Sequence, residues 1–298
     1  MANLSVNMRA VVLVLISFLS YNCGDAFVKQ ALDFYYFAEA AFYPTLFYAL
    51  IVLILNKKFG GLPSLFKTKY KKYHFLRGLG GTGCYLCFAF SIQHITLAEA
   101  YALLLTSPFW IAILSIFFFK EAIGMHRWTA IVCGFIGVLI VIRPGLISIE
   151  PASLLMLLGA CGFGFFVIYT KKIGDQEPLI NMVIYPILVE AMVLAPIIAW
   201  NGFANDGFTP PAIHHIPFFT LAGLFFLIGT SFSSLGFASG ESSLLAPLHY
   251  SQIIWGTFIG FIFFAEIPEL WTLVGSMIII TSGTYLIYRE HKAQHIMY

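Results

Sequence analysis

Charge is scarce in this sequence. Only 10% of its 298 residues are Asp, Glu, Lys or Arg, against about 25% in a soluble globular domain. That shortage excludes a solvated surface over most of the chain. A net charge of +2 leaves no basic face for nucleic acid. Cysteine is sparse too, and Cys23, Cys84, Cys87, Cys133 and Cys161 all fall within apolar runs. Cys84 and Cys87 have redox or zinc spacing, but no second pair and no His cluster completes a site, so no metal and no cofactor is expected. The chain contains no GxxxxGK[ST], no GxSxG and no HExxH. Their absence removes the common routes to ATP-driven pumping and to hydrolysis. Residues 78–83 spell GxGxxG, yet they follow a basic segment instead of a strand, so close helix packing is the better reading.

What the chain has is apolar length. Hydrophobic residues make up 60% of it, and a bilayer-spanning helix needs roughly 20 of them in a row. Windows of that length predict an all-α integral membrane protein of about ten transmembrane helices, near residues 8–30, 34–56, 74–94, 96–120, 126–143, 151–171, 178–200, 216–238, 242–265 and 270–288. The first run, behind Arg9, has the outline of a signal peptide. No small-x-small site follows it before Cys23 or Ala26, so it reads as an uncleaved span. Threading ten spans with the N-terminus in the cytoplasm places 14 of the 16 Lys and Arg inside and leaves Lys29 and Arg143 outside. The positive-inside rule therefore predicts that both termini are cytoplasmic.

The chain also repeats itself. Trp110 and Trp255, Glu121 and Glu266, and Thr106 and Ser251 are each 145 residues apart. Tyr43-Pro44 returns as Tyr185-Pro186 and Lys29 as Lys171, both at a shift of 142; Trp128-Thr129 returns as Trp271-Thr272 at 143. Gly81-Thr82 matches Gly229-Thr230 more loosely. Two five-span units are predicted, 1–145 and 146–298. Because five is odd, the second must lie inverted, with Lys29 outside and Lys171 inside. Inverted repeats are a transporter architecture in which two halves rock about a site near the midplane.

Several stretches taken in order resemble the ten-span EamA-type members of the drug/metabolite transporter superfamily. They are His74-Phe75-Leu76-Arg77-Gly78, the helix 98–121, Trp128 through Gly134, Gly137 and Val138 to Arg143-Pro144, and Ala246-Pro247 through Trp255 to Glu266. The resemblance covers nearly the whole chain. It implies a basket in which spans one to four and six to nine surround a cavity, with five and ten peripheral. It also implies carriage of a small metabolite such as an amino acid, a nucleoside or S-adenosylmethionine. A bacterial inner-membrane location follows. Many relatives have an arginine in the second span where this chain has Pro44, so no anionic group served by that arginine is implied here.

Among candidate site residues, Glu190 stands near the middle of the seventh span. A charge at that depth costs about 2.5–3.5 kcal/mol on insertion scales, so it normally faces a cavity and has a role. It suits binding of a substrate amine or proton coupling; the alternative is a protonated carboxyl bonded to a neighbouring helix. Pro247 breaks the ninth span just before His249, Tyr250, Ser251 and Gln252, and Pro108 does the same in the fourth, beside Thr106. Freed carbonyls and polar side chains there would line a pathway. Trp110 and Trp255, deep in their spans, would wall a site or stack on a cationic substrate, or else simply pack helices. Tyr185, Asn22 and Asp25 complete the expected substrate pathway. The expected partners are a small-molecule substrate and the lipid bilayer, with spans five and ten offering a surface for a homodimer. A lipid-linked sugar flippase is the rival within transport. A membrane enzyme or a non-transporting subunit would leave the inverted repeat unexplained.

Overall fold

A computed structural model describes residues 6–55, 57, 68–119, 125–143, 150–173, 176–205, 209–239 and 246–296. Every regular element among the described residues is helical. The first half contains α1 (Val6–Ala31), α2 (Phe37–Ile54), α3 (Lys71–Ser91), α4 (Leu97–Leu104), α5 (Ser107–Phe119) and α6 (Met125–Ile142). The second contains α7 (Pro151–Ile173), α8 (Leu179–Asn205), α9 (Ile216–Ser239), a 3-10 turn (Ala246–Tyr250), α10 (Ser251–Phe264) and α11 (Leu270–Ile296). Five of these, namely α1, α2, α7, α8 and α9, are long and apolar enough to cross a membrane unaided. Three of the others fall short by local chemistry. Helix α3 carries Lys71, Lys72 and Arg77 in its first two turns, and the fourth and ninth spans are broken.

The break in the fourth span has a covalent cause. Pro108 has no N–H to give to the carbonyl of Leu104 four residues back, and α4 ends at that residue. The Thr106 N–H and hydroxyl both turn back to Leu103 O, at 3.1 and 2.7 Å. At the start of α4, the Thr96 hydroxyl accepts the Glu99 N–H at 3.2 Å, the first half of a capping box. In the ninth span Pro247 lies within the 3-10 turn, and α10 then ends on Ala265 in a left-handed conformation (φ 52°). The left-handed residue brings the Glu266 N–H back to Gly260 O at 3.0 Å.

The packing respects the inverted repeat. The most extensive helix pairs are α3 with α7 and α1 with α9, which exchange when the halves are exchanged. Helix α2 meets α8 across the axis, and α6 meets α11. The α3–α7 crossing is close because it is built on glycine: a Cβ at Gly80 would lie 2.6 Å from Gly162 O. Lys29 bonds to Ile95 O and Glu266, Ser91 to Ala152 O, and Glu39 to Thr209, so residues 29–39, 91–99, 152, 209 and 266 gather at one face. Thr68, Tyr70 and His74 meet Gln176 and Glu177 at the other, called the terminal face below because α1 starts and α11 ends there.

Candidate functional site

A cavity of about 190 Å³ lies between the two halves. Its wall comes from α1 to α4 and α7 to α10, and among the described residues α6 and α11 contribute nothing to it. Aromatic rings dominate: Phe18, Tyr21, Tyr48, Tyr85, Phe88, Tyr101, Phe163, Phe166 and Phe226. Into this apolar chamber project two carboxyl groups, Asp25 from α1 and Glu190 from α8.

Among the described residues each carboxyl is held by one hydroxyl. Tyr101 of α4 donates to Asp25 Oδ2 at 2.5 Å, and Thr45 of α2 donates to Glu190 Oε1. Among the described residues neither carboxyl meets a Lys, Arg or His within ion-pair distance, and no basic side chain lines the cavity. The Tyr85 hydroxyl is buried without a hydrogen-bond partner among the described residues and lies within electrostatic reach of both carboxyls. A carboxylate in such surroundings is stabilised by taking up a proton or by meeting a cation that brings its own charge. Aromatic faces favour the same cation.

Of the sequence candidates, Glu190, Asp25 and Gln252 line the cavity. His249 stands one layer behind, its ring 4.4 Å from that of Phe18 and 5.2 Å from that of Phe163, with Gln252 Nε2 3.3 Å from its Nδ1. The remaining candidates are not in the wall. The Ser251 and Thr106 hydroxyls return to their own chain at Leu248 O and Leu103 O. Asn22 Nδ2 donates to Phe18 O, and the buried Tyr250 hydroxyl has no hydrogen-bond partner among the described residues. Trp110 packs against Gly164 of α7, and the Trp255 indole N–H is buried without an acceptor among the described residues. Tyr185 stacks on His74 at 4.4 Å, towards the terminal face. The backbone breaks beside Pro108 and Pro247, whose side chains lie outside the described residues, as does Glu121. Sequence reasoning missed Tyr101, Thr45, Tyr48 and Tyr85. Tyr48 carried one signal: at the shift of 142 it is the repeat counterpart of Glu190.

Polar networks close both ends. On the terminal side Arg77, with no exposed surface, donates to Met182 O at 2.7 Å and Thr170 Oγ1 at 3.4 Å, and stacks on Phe166. Below it, Glu177 accepts from Thr68 and Asn181 and faces His74 Nε2 at 3.2 Å. Burial would push the Glu177 carboxyl up, but the donors Asn181, Thr68 and His74 outweigh it and hold it below its ordinary value. At the opposite face Lys29 pairs with Glu266, whose second oxygen accepts the Leu97 N–H at 3.0 Å at the start of α4. Both networks tie one half to the other.

Comparison with known proteins agrees with this geometry. The model of the EamA-like transporter family matches residues 8–143 and again 151–289. The chain is 29% identical over 289 residues to an S-adenosylmethionine uptake transporter of Rickettsia bellii, covering 94% of this chain and 93% of that one. It is 23% identical over 279 residues to a pseudopaline exporter of Pseudomonas aeruginosa, covering 91% and 93%. A crystal structure with 14% identity shares the fold at a TM-score of 0.64, covering 94% of this chain and 96% of that one. With its family model matched twice along the chain and a cavity between the two matched halves, the chain belongs to the EamA-like transporter family and is a membrane transporter of small molecules.

Proposed function

We propose that the chain carries a small organic cation, S-adenosylmethionine or a close chemical relative, across the membrane by alternating access, in exchange for protons held on the same carboxyls. The observation that carries this reading is the pair Asp25 and Glu190, set in an aromatic chamber whose described wall residues include no basic side chain. A cation entering there replaces the proton as the neutralising charge, which couples the two movements by competition for one site. The relative from Rickettsia bellii is named for uptake of a sulfonium compound, which fits that chemistry. The cavity is smaller than the roughly 300–1,000 Å³ of most small-molecule sites, so loading requires the halves to part. We place the terminal face in the cytoplasm, on the distribution of Lys and Arg.

The test is uptake of labelled S-adenosylmethionine into proteoliposomes, with and without a proton gradient. The gradient is expected to accelerate uptake, and Glu190→Gln and Asp25→Asn are each expected to lower it about tenfold or more, equivalent to roughly 1.4 kcal/mol. Uptake by neither cationic nor zwitterionic sulfonium compounds would sink the reading. Uptake that both neutralised variants retain in full would sink the role of the carboxyls.

A further inference from the structure

We infer that Arg77 recognises a carboxylate on the substrate, and that the substrate class is an α-amino acid headgroup joined to a second cationic centre. This deepens the cation-carrier reading and rests on it.

The argument begins with an anomaly. Arg77 is fully buried, yet its resolved hydrogen-bond acceptors are neutral: a backbone carbonyl of α8 and a hydroxyl of α7. Its Nε–H is buried with no acceptor among the described residues. Glu177, a carboxylate within electrostatic reach of it, is already engaged by Thr68, Asn181 and His74. A guanidinium has five donors in a fixed fork suited to a carboxylate, and here that fork is only partly used. The side chain adjoins the cavity. It stacks at 5.3 Å on Phe166, a wall residue; it is within electrostatic reach of Tyr21 and Tyr48, also in the wall; and Gly81, one turn further along α3, lines the chamber.

Taken together, the chamber and its floor present two carboxyls and one guanidinium. A ligand with two positive centres and one carboxylate neutralises all three at once. A ligand with one cation and no carboxylate leaves Arg77 and one acid unmatched. When the carboxylate arrives, Arg77 gives up Met182 O and Thr170 Oγ1, contacts that join α3 of the first half to α7 and α8 of the second. Recognition therefore also loosens the terminal face, so ligands lacking the carboxylate bind without releasing it.

The test pairs ligand and protein changes. Binding of S-adenosylmethionine and of its decarboxylated form is measured on the full chain in lipid nanodiscs, for wild type, Arg77→Lys and Arg77→Gln. Wild type is expected to prefer the carboxylated ligand by about tenfold or more. Arg77→Gln is expected to bind the two within about twofold of each other, and Arg77→Lys, which keeps the charge but loses the fork, to show an intermediate preference. Equal binding of both ligands by wild type would overturn the assignment whether or not any variant folds. An equal loss for both ligands in the variants would make Arg77 a structural cross-link and overturn it as well. If wild type binds neither ligand, the cation-carrier reading fails and this inference fails with it.

Discussion

Asp25 and Glu190 differ in where their single hydroxyl partners come from. Tyr101 reaches Asp25 from within the same half, whereas Thr45 reaches Glu190 across the two halves. Any rocking of the halves therefore strains the second bond and spares the first. Losing one donor to a buried carboxyl costs about 1–3 kcal/mol. Tyr101→Phe removes the hydroxyl while its ring stays packed 5.0 Å from that of Phe88. It is expected to lower the stability of the purified protein by about that amount, read as thermal or denaturant unfolding in detergent. An unchanged midpoint would mean that the hydroxyl contributes nothing to holding Asp25. Thr45→Val is expected to cost less in unfolding but to alter transport, because in the proposed alternating-access cycle its bond, made across the halves, belongs to one conformation. Uptake identical to wild type would contradict that.

At the scale of the helix, the two broken spans supply the irregular backbone beside the cavity. Pro108→Ala restores the N–H that Leu104 O lacks and is expected to let α4 run into α5. That would turn Tyr101 away from Asp25, so transport is expected to fall while the helical signal in circular dichroism stays equal or rises. Normal uptake by this variant would show the break to be incidental. The loop joining α7 to α8 carries a pH dependence whose sign follows from Glu177. Its carboxyl lies below the ordinary value of 4.5 in the folded chain, so its stabilisation of the terminal face is complete above about pH 4.5 and is lost as pH falls through the depressed value. Glu177→Gln is expected to flatten that acid limb in a proteolysis assay of the loop. Much of this scale was legible beforehand. Proline placement marked both breaks, and apolar windows found the spans, because both signals are local in sequence. The Asp25–Tyr101 bond spans 76 residues and Arg77 bonds to Met182 from 105 residues away. Nothing local announces such contacts, and composition, which counts Arg77 only as one more inside charge, does not resolve depth along a helix.

For the molecule as a whole, the cavity is closed at both ends by bonds between the halves. The two closures differ in kind: a neutral-acceptor network around Arg77 on the terminal face, and the Lys29–Glu266 ion pair on the other. Glu266→Gln is expected to favour opening of the second face. In a variant retaining only Cys84, a free thiol of the cavity wall, labelling by a membrane-impermeant maleimide should quicken from that side and stay constant from the terminal side. Unchanged labelling would show that the pair is not what keeps that face shut. The scaffold is two-fold, but its contents are not: at the shift of 142, Glu190 faces Tyr48 and Asp25 faces Val167. A ligand arriving from one side therefore meets a different sequence of charges from one arriving at the other, so its half-saturating concentrations on the two sides are free to differ. With no gradient to drive the cycle, the ratio of maximal rate to half-saturation must still be equal in both directions. The side that saturates at lower concentration is then also the side that turns over more slowly.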